Sequence, residues 1–303
     1  HHAYVDGVGA AFNLQKLYRS EPGWKPEPAP PWQPRPWPSW GKRLWWGSRD
    51  LPRVLSRNLP RVISGLRKKK ALEQELAAQG KPPAPAISMM RRTPLNATLS
   101  YGRTFVCDSM PLEKFKRLSK AFGVTLNDVF LSCAAGAMRR LLQDKNYDPD
   151  QHPLIAGTPF AGVREEGWQG LGNFATVEAG ADLNALFQVC PPWIMGAVRR
   201  YINRQEGELG MFGNLVLSNV PGPREPVYFN TYKMDKWFSM GQVFDGSSIN
   251  ITLWSYCDQA NLCLLADKKV IPDGWVPYRY FVEELDKLIE LIPADAIQQE
   301  RTA

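Results

Sequence analysis

Histidine, cysteine and long apolar runs are scarce in this sequence. The 303 residues include three histidines and five cysteines, and the cysteines form no CxxC pair. A disulfide framework or a zinc site is therefore not favoured, and the cysteines are predicted to be inert buried thiols in a reducing compartment. The longest uncharged apolar runs, such as Gly213–Val220, fall far short of the ~18 to 20 residues that cross a bilayer. No segment is predicted to span a membrane.

Motifs for nucleotide binding and for a serine nucleophile are also missing. The chain has no GxxxxGK[ST] loop and no GxSxG elbow, and the glycines at Gly7 and Gly9 lack the third glycine of a dinucleotide loop. HExxH cannot be formed from these three histidines, and adjacent histidines do not share a helix face. No cofactor and no metal site are predicted.

Positive charge is concentrated in one segment. Residues 41–70 contain ten basic side chains and one acid, Asp50, so the net charge of this segment is +9. The whole chain has a net charge of +7, which leaves −2 for the remaining residues. The basic character therefore does not indicate a general affinity for polyanions, and without a recognition motif it does not predict nucleic-acid binding.

The segment that carries this charge follows a stretch rich in proline and tryptophan. Eight prolines and six tryptophans alternate between residues 21 and 48, which predicts an extended crossover because prolines at this density forbid helix. Residues 49–70 have helical periodicity, with Pro52 in the first turn and Pro60 expected to kink or break the helix. Tryptophan beside a basic amphipathic helix favours contact with a membrane or lipid-droplet surface. The alternative is that these residues pack the crossover between two lobes of the protein, with their charges facing solvent.

The rest of the chain reads as mixed α/β. Three helices are predicted: Met110–Phe122 ending at Gly123, Thr125–Asp144 opened by a capping box with Asp128, and Trp275–Ile292. Strands are predicted over Leu154–Val163, Asn214–Val220, Ser248–Cys257 and Asn261–Ala266, the last two paired around residues 258–260.

The two adjacent histidines open a specific motif. At average residue usage, HHxxxDG should occur by chance in roughly one 300-residue chain in a thousand, and it stands here as His1-His2-Ala3-Tyr4-Val5-Asp6-Gly7. The end of a purification tag is an alternative origin for His1 and His2. A neutral imidazole suits acyl transfer, since it can take the proton of an attacking hydroxyl and return it to the leaving thiolate. Asp6 is open to two interpretations, a relay carboxylate or a structural one, and Gly7 lets the backbone pass close to a substrate.

These residues resemble the HHxxxDG motif of the CoA-dependent acyltransferase superfamily, in which the second histidine is the base and the aspartate is chiefly architectural. Three later stretches resemble the wax ester synthase/diacylglycerol acyltransferase branch, and their sequences are most similar to triacylglycerol synthases of actinobacterial type. They are Pro94-Leu95-Asn96, Thr125-Leu126-Asn127-Asp128-Val129 and Ser218-Asn219-Val220-Pro221-Gly222-Pro223, with Gly172-Asn173 as a further match.

The resemblance implies a two-lobed α/β fold like that of chloramphenicol acetyltransferase, with the active centre between the lobes. Residues 1–20 would be the end of the N-terminal lobe, residues 21–90 the crossover and residues 91–303 the C-terminal lobe. Because the family motif stands at the very start of this chain, most of the N-terminal lobe is expected to be missing from it. The stretch from Val177 to Cys190 also looks shorter than in relatives.

The resemblance further implies an O-acyltransferase that makes triacylglycerol from diacylglycerol, or wax esters from long-chain alcohols, through a ternary complex with acyl-CoA as a substrate. His2 would be the base, with His1, Asp6 and Gly7 completing the motif. Asn127, Asp128, Ser218, Asn219, Pro94, Leu95 and Asn96 would line the substrate site.

Each of these assignments has an alternative. Asn127 and Asp128 are also typical of a helix cap, and the Pro-Gly step is typical of a turn. The alternatives to the activity itself are a condensation or polyketide-directed acyltransferase, and a non-catalytic lipid-droplet protein. The expected location is the cytoplasm, at the inner membrane face or on lipid droplets, and the sequence does not indicate an oligomeric state.

Overall fold

The computed structural model describes residues 17–25, 28, 31, 33, 34, 36–81, 91–150, 154–161, 175–177, 196, 197, 200 and 213–293. These residues fall into two compact units. The first draws on the ranges His1–Pro85, Pro159–Arg200 and Tyr228–Tyr232, and the second on Ala86–Thr158, Tyr201–Val227 and Lys233–Ala303. The boundaries proposed from the sequence after residues 20 and 90 remain predictions.

The first unit contains a helix of 39 residues, α1, over Trp40–Ala78. It begins after Ser39, whose Oγ accepts a hydrogen bond from the backbone N–H of Lys42 at 3.3 Å. The extended prediction is therefore wrong for residues 40–48, because no proline interrupts the chain between Pro38 and Pro52. The predicted break at Pro60 is also wrong. Pro52 and Pro60 are both exposed, so water can hydrate the carbonyl groups that they leave unbonded.

The first unit also contains short strands. In the first unit, β3 (Pro159–Ala161) pairs with β4 (Ala175–Val177) in an antiparallel ladder. The single strand predicted over 154–163 is wrong, since residues Ala156–Gly157 form a separate strand, β2, in the second unit. Two further short strands, β6 (Tyr228–Phe229) and β7 (Tyr232–Lys233), form a two-stranded sheet.

The second unit is built on a five-stranded mixed sheet of order β1-β9-β8-β5-β2. Its long strands are β1 (Arg103–Pro111), β5 (Leu215–Pro221), β8 (Ile249–Tyr256) and β9 (Gln259–Asp267). β9 pairs antiparallel with β1 and β8, whereas β5 pairs parallel with β8 and β2. The sequence predicted β5, β8 and β9 but not β1. The turn between β8 and β9 lies at Cys257–Asp258 instead of the predicted 258–260, with Cys257 in the left-handed conformation (φ 53°).

Three helices cover one side of this sheet, and all three were predicted. They are α2 (Leu112–Phe122), α3 (Leu126–Asp144) and α4 (Trp275–Glu290). Gly123 ends α2 at φ 64°, as its position in the sequence indicated. Phe281 of α4 is 1% exposed and lies 6.5 Å from the Phe115 ring and 6.0 Å from the Phe130 ring, centroid to centroid. The three helices therefore share one aromatic core over the sheet.

None of the described helices has, on its own, the length and apolar character of a membrane-spanning helix. The bent pair α2 and α3, with 105° between them, meets that test by length and composition only when the two are joined.

Candidate functional site

The residues proposed from the sequence fall into two groups. His1, His2, Asp6 and Gly7 lie outside the described residues, as does the Gly172-Asn173 step. The other candidates all lie in the second unit: Pro94, Leu95, Asn96, Asn127, Asp128, Ser218 and Asn219. Their surroundings are therefore the part of the site that the structure describes.

Asn127 and Asn219 come from different motifs and meet in space. Asn127 lies in the first turn of α3, and Asn219 lies near the carboxyl end of β5. The Asn219 Nδ2 group donates a hydrogen bond to Asn127 Oδ1 at 3.4 Å. Both side chains are half-buried, so each retains hydrogen-bonding capacity that a substrate could use. The structure thus joins two of the three later motifs at one point.

Ser218 and Asn219 point to opposite sides of the sheet, because successive side chains of a strand alternate. Leu217, two residues before Asn219, belongs to the core beneath the helices, so Asn219 shares that side, here called the helix face. Ser218 lies on the other side of the sheet, and its Cα partner on the neighbouring strand β8 is Thr252. A substrate group bound against one face of the sheet can therefore contact either Ser218 or Asn219, but not both.

The side of the sheet that carries Ser218, here called the polar face, is rich in buried polar groups. Asn250, Thr252 and Asn261 are 3%, 2% and 0% exposed. Thr252 Oγ1 donates to Asn250 Oδ1 at 2.8 Å, and Ser109 Oγ donates to Asn261 Oδ1 at 2.7 Å. Buried polar side chains normally form hydrogen bonds with one another or with a bound molecule such as ordered water. The sequence did not indicate them, because the alternation of polar and apolar residues in β8 and β9 shows that one face is polar but not that it is buried.

Two buried nitrogen atoms on the polar face have no hydrogen-bond partner among the described residues. They are Nε1 of Trp254 and Nδ2 of Asn261, and the two residues lie directly opposite each other across β8 and β9. The Trp254 ring is stacked on Trp237, with centroids 4.9 Å apart. Unpaired buried donors are costly, so this end of the polar face suits a ligand oxygen or an ordered water molecule.

Asp128 has its hydrogen bonds within the capping box that the sequence predicted. Its Oδ2 atom accepts from the Thr125 backbone N–H at 2.8 Å and from Thr125 Oγ1 at 2.7 Å. These bonds lower the pKa of Asp128, the hydroxyl bond contributing most. The contacts describe a helix cap at the start of α3, which fixes the position of the neighbouring Asn127. A contact between Asp128 and substrate remains a prediction.

Asn96 lies at the centre of a buried hydrogen-bond network. Its Nδ2 group donates to the carbonyl oxygens of Asn214 at 3.0 Å and Gly246 at 2.6 Å, and its Oδ1 accepts from Thr93 and from Asn214 Nδ2. The side chain is 8% exposed and Leu95 is fully buried. These contacts tie the loop around Pro94 to the start of β5 and to the loop before β8. Substrate contacts of Pro94, Leu95 and Asn96 remain predictions.

An apolar groove of about 350 Å³ lies beside β5 on the helix face. Leu215 and Leu217 of β5, Met138 of α3 and Leu154 line it, together with small residues of α3 and one arginine, Arg139, which pairs with Asp150. Since Leu217 and Asn219 share a face, the groove and the Asn127–Asn219 pair lie on the same side of the sheet. Its volume lies at the lower end of the range of about 300 to 1,000 Å³ for small-molecule sites, and its lining is mostly apolar.

Metal-binding clusters are not found in the described part of the chain, where no three His, Cys, Asp or Glu side chains come together in a way that could hold an ion. Among the described candidates, Asn96, Asn127, Ser218 and Asn219 carry amide or hydroxyl groups, which can donate and accept hydrogen bonds.

Comparison with known proteins decides the family. The catalytic-domain profile of the wax ester synthase/diacylglycerol acyltransferases matches residues 1–130, and the profile of their C-terminal domain matches residues 180–289. A Mycobacterium tuberculosis protein, provisionally named a diacylglycerol O-acyltransferase, is 34% identical over 99% of this chain and 70% of its own length. The chain belongs to the wax ester synthase/diacylglycerol acyltransferase family. The resemblance drawn from its motifs is confirmed, and the chain is an acyltransferase of that family.

Two further proteins are similar to this chain. The O-acyltransferase WSD of Acinetobacter baylyi is 31% identical over 59% of this chain and 44% of its own length. The solved structure of the wax ester synthase/diacylglycerol acyltransferase from Marinobacter aquaeolei VT8 matches with a TM-score of 0.55 and 23% identity, over 95% of this chain and 66% of that one. That structural likeness concerns the fold alone, and it confirms the predicted mixed α/β fold class. The match covers 70% of the length of the Mycobacterium tuberculosis relative and 66% of the Marinobacter structure.

Proposed function

We propose that the protein transfers a fatty acyl group from acyl-CoA to the hydroxyl of diacylglycerol, and to long-chain alcohols, with His2 as general base. The observation that carries the proposal is the HHxxxDG motif at residues 1–7, which falls inside the matched catalytic-domain profile. The relative named as a diacylglycerol O-acyltransferase and the matched profile, which is named for wax ester synthases as well, support both acceptor classes.

The chemistry needs one base and both substrates bound together. The His2 imidazole removes the proton of the acceptor hydroxyl while that oxygen attacks the thioester carbonyl. The tetrahedral intermediate then collapses, the C–S bond breaks, and the imidazolium returns the proton to the CoA thiolate. Because no acyl-enzyme forms, the sequence needs no nucleophilic serine or cysteine.

The described residues support this reaction by positioning. Asn127 and Asn219 hold each other at the junction of α3 and β5, and their remaining hydrogen-bonding capacity can bind a substrate carbonyl or hydroxyl. The apolar groove beside Leu215 and Leu217 suits part of a hydrocarbon chain. Asp128 acts indirectly, since its cap sets the position of the first turn of α3.

The test is release of free CoA from a long-chain acyl-CoA with diolein, with hexadecanol, and with no acceptor. Acceptor-dependent release together with triacylglycerol or wax ester on a lipid chromatogram is the expected result. No release with either acceptor would contradict the proposal. Transfer only from a carrier-protein thioester would instead favour the condensation or polyketide-directed alternative.

We further propose that α1 places the enzyme on a lipid surface, at the inner membrane face or on lipid droplets. The start of the helix carries exposed aromatic side chains, with Trp40 76% and Trp45 57% exposed. Cationic side chains lie over these rings, Arg43 5.1 Å from Trp40 and Arg49 5.0 Å from Trp45. Tryptophan with arginine is the combination that the headgroup region favours.

Binding to vesicles that contain anionic lipid tests this surface contact. Replacing Arg53 and Arg57 by glutamine should weaken binding by roughly thirtyfold, since each basic residue near an anionic surface contributes about 1 kcal/mol. The matched control replaces Lys116 and Lys120, two exposed cations of α2, and should bind as the unchanged protein does. Equal losses in the two variants would show a general charge effect and contradict the assignment to α1.

A further inference from the structure

Two cysteines of the second unit face each other across neighbouring strands. Cys107 of β1 and Cys263 of β9 are direct Cα partners in the antiparallel ladder, and their Sγ atoms lie 3.0 Å apart. Directly opposed residues of an antiparallel pair have Cα atoms about 4.5 to 5.5 Å apart, within the range of about 4.4 to 6.8 Å that a disulfide spans. The two sulfur atoms can therefore be joined without moving the strands apart.

The two thiols differ in their access to a reagent. Cys107 is half-buried, whereas Cys263 is 1% exposed. Burial raises the pKa of the Cys263 thiol most. The hydrogen bond and the electrostatic interaction with Cys107 raise that pKa further. An oxidant from solution will therefore reach Cys107 first, and Cys263 will react as the second, resolving thiol.

We infer that Cys107 and Cys263 form a reversible modification site, a thiol pair that a low-molecular-weight disulfide oxidises to a cross-strand disulfide. The Cys107 thiolate attacks the reagent disulfide and releases one reagent thiol, leaving a mixed disulfide on Cys107. Cys263 then loses its proton and attacks the Cys107 sulfur, which releases the second reagent thiol. Two cysteine thiols and one reagent disulfide thus give one protein disulfide and two reagent thiols.

The position of the pair in the sheet gives the bond a consequence. β1 lies at the end of the five-stranded sheet and β9 is its hydrogen-bonded neighbour. In register, Cys263 lies opposite Thr252 of β8, and Thr252 lies opposite Ser218 of β5. A disulfide would therefore link the edge strand β1 covalently to β9. The bond would lie on the polar face, and Ser218 lies on the same face two strands beyond β9.

The experiment exposes the folded, reduced protein to oxidised glutathione, then alkylates the remaining thiols under denaturing conditions and identifies cysteine peptides by mass spectrometry. We expect a linked Cys107–Cys263 peptide pair with a mass lower by two hydrogens, and alkylated Cys133, which is fully buried. Recovery of Cys107 and Cys263 both alkylated, or of glutathione on Cys107 with Cys263 alkylated, would overturn the inference.

Two variants separate the order of the steps. Cys263→Ser should hold the reaction at the mixed disulfide, so that glutathione remains on Cys107. Cys107→Ser should leave Cys263 unmodified, because the buried thiol then has no half-buried partner to react first. Modification of Cys263 at an undiminished rate in Cys107→Ser would contradict the role of Cys107 as the entry point.

Discussion

At the scale of single residues, Gly222 shows that a turn position can require glycine because of packing and not only because of its backbone conformation. The sequence placed Pro221-Gly222-Pro223 in a family motif, with a simple turn as the alternative interpretation. In the structure, a Cβ atom added at Gly222 would overlap the carbonyl oxygen of Ser255 and Nε1 of Trp254. The glycine is thus required by close packing against β8, which no local pattern reveals.

Gly222→Ala should lower the free energy of unfolding by about 1 to 3 kcal/mol, because the backbone oxygen it would overlap cannot move aside cheaply. Chemical denaturation measures the loss. Gly47→Ala is the control, since an added Cβ meets nothing within 4 Å in α1, and it should leave the protein as stable or more so. Equal stability of Gly222→Ala and the unchanged protein would contradict the packing described here.

The Asn127–Asn219 contact is a second residue-scale feature, and it predicts coupling. If the two amides position substrate as a unit, Asn127→Ala and Asn219→Ala should each reduce kcat/KM about tenfold, and the double variant should lose little more than either single one. Acyl-transfer kinetics on the four proteins test this. Fully multiplicative losses would show that the two side chains act independently.

At the scale of elements, local signals predicted the helix ends well and the sheet only in part. The cap at Thr125 and the glycine after Phe122 are determined by neighbouring residues, and the structure has both. β1 was missed because it ends directly at α2, so its last residues were read as the start of that helix. Its partner β9 also lies about 150 residues further along the chain. α1 covers Trp40–Ala78 instead of the predicted 49–70, because the prolines of the stretch 21–48 end at Pro38 and residues 71–78 contain neither proline nor glycine.

Asp267 at the end of β9 ties this strand to the loop before β1. Its carboxylate accepts hydrogen bonds from Ser100 Oγ at 2.9 Å and from the Ser100 backbone N–H at 2.6 Å, and Arg103 lies 3.2 Å away. Burial alone would raise the pKa of Asp267, but the Ser100 and Lys269 hydrogen bonds and the Arg103 charge outweigh it and hold the pKa below the usual 3.8.

Because the folded-state pKa is depressed, this carboxylate stabilises the protein above its unfolded pKa, and the contribution is lost as pH falls through the folded value. Asp267→Asn should therefore cost about 2 to 4 kcal/mol at neutral pH. The difference from the unchanged protein should shrink below about pH 4. Denaturation curves over this pH range measure it, and a difference independent of pH would contradict the charge-based account.

At the scale of the whole molecule, the sequence alone was sufficient for the family and the fold class. The HHxxxDG, Asn127-Asp128 and Ser218-Asn219 motifs led to the acyltransferase resemblance that the comparisons confirm. What the sequence could not predict is which motif residues meet. The contact of Asn127 with Asn219 and the opposite orientation of Ser218 depend on strand register between segments far apart in the chain.

The most direct measurement compares acyl transfer by the unchanged protein with that of His2→Ala, at saturating acyl-CoA and diolein, with circular dichroism to establish that both are folded. If His2 is the general base, kcat should fall by about 100-fold to 10,000-fold while the fold is retained. Undiminished transfer by folded His2→Ala would contradict the central claim.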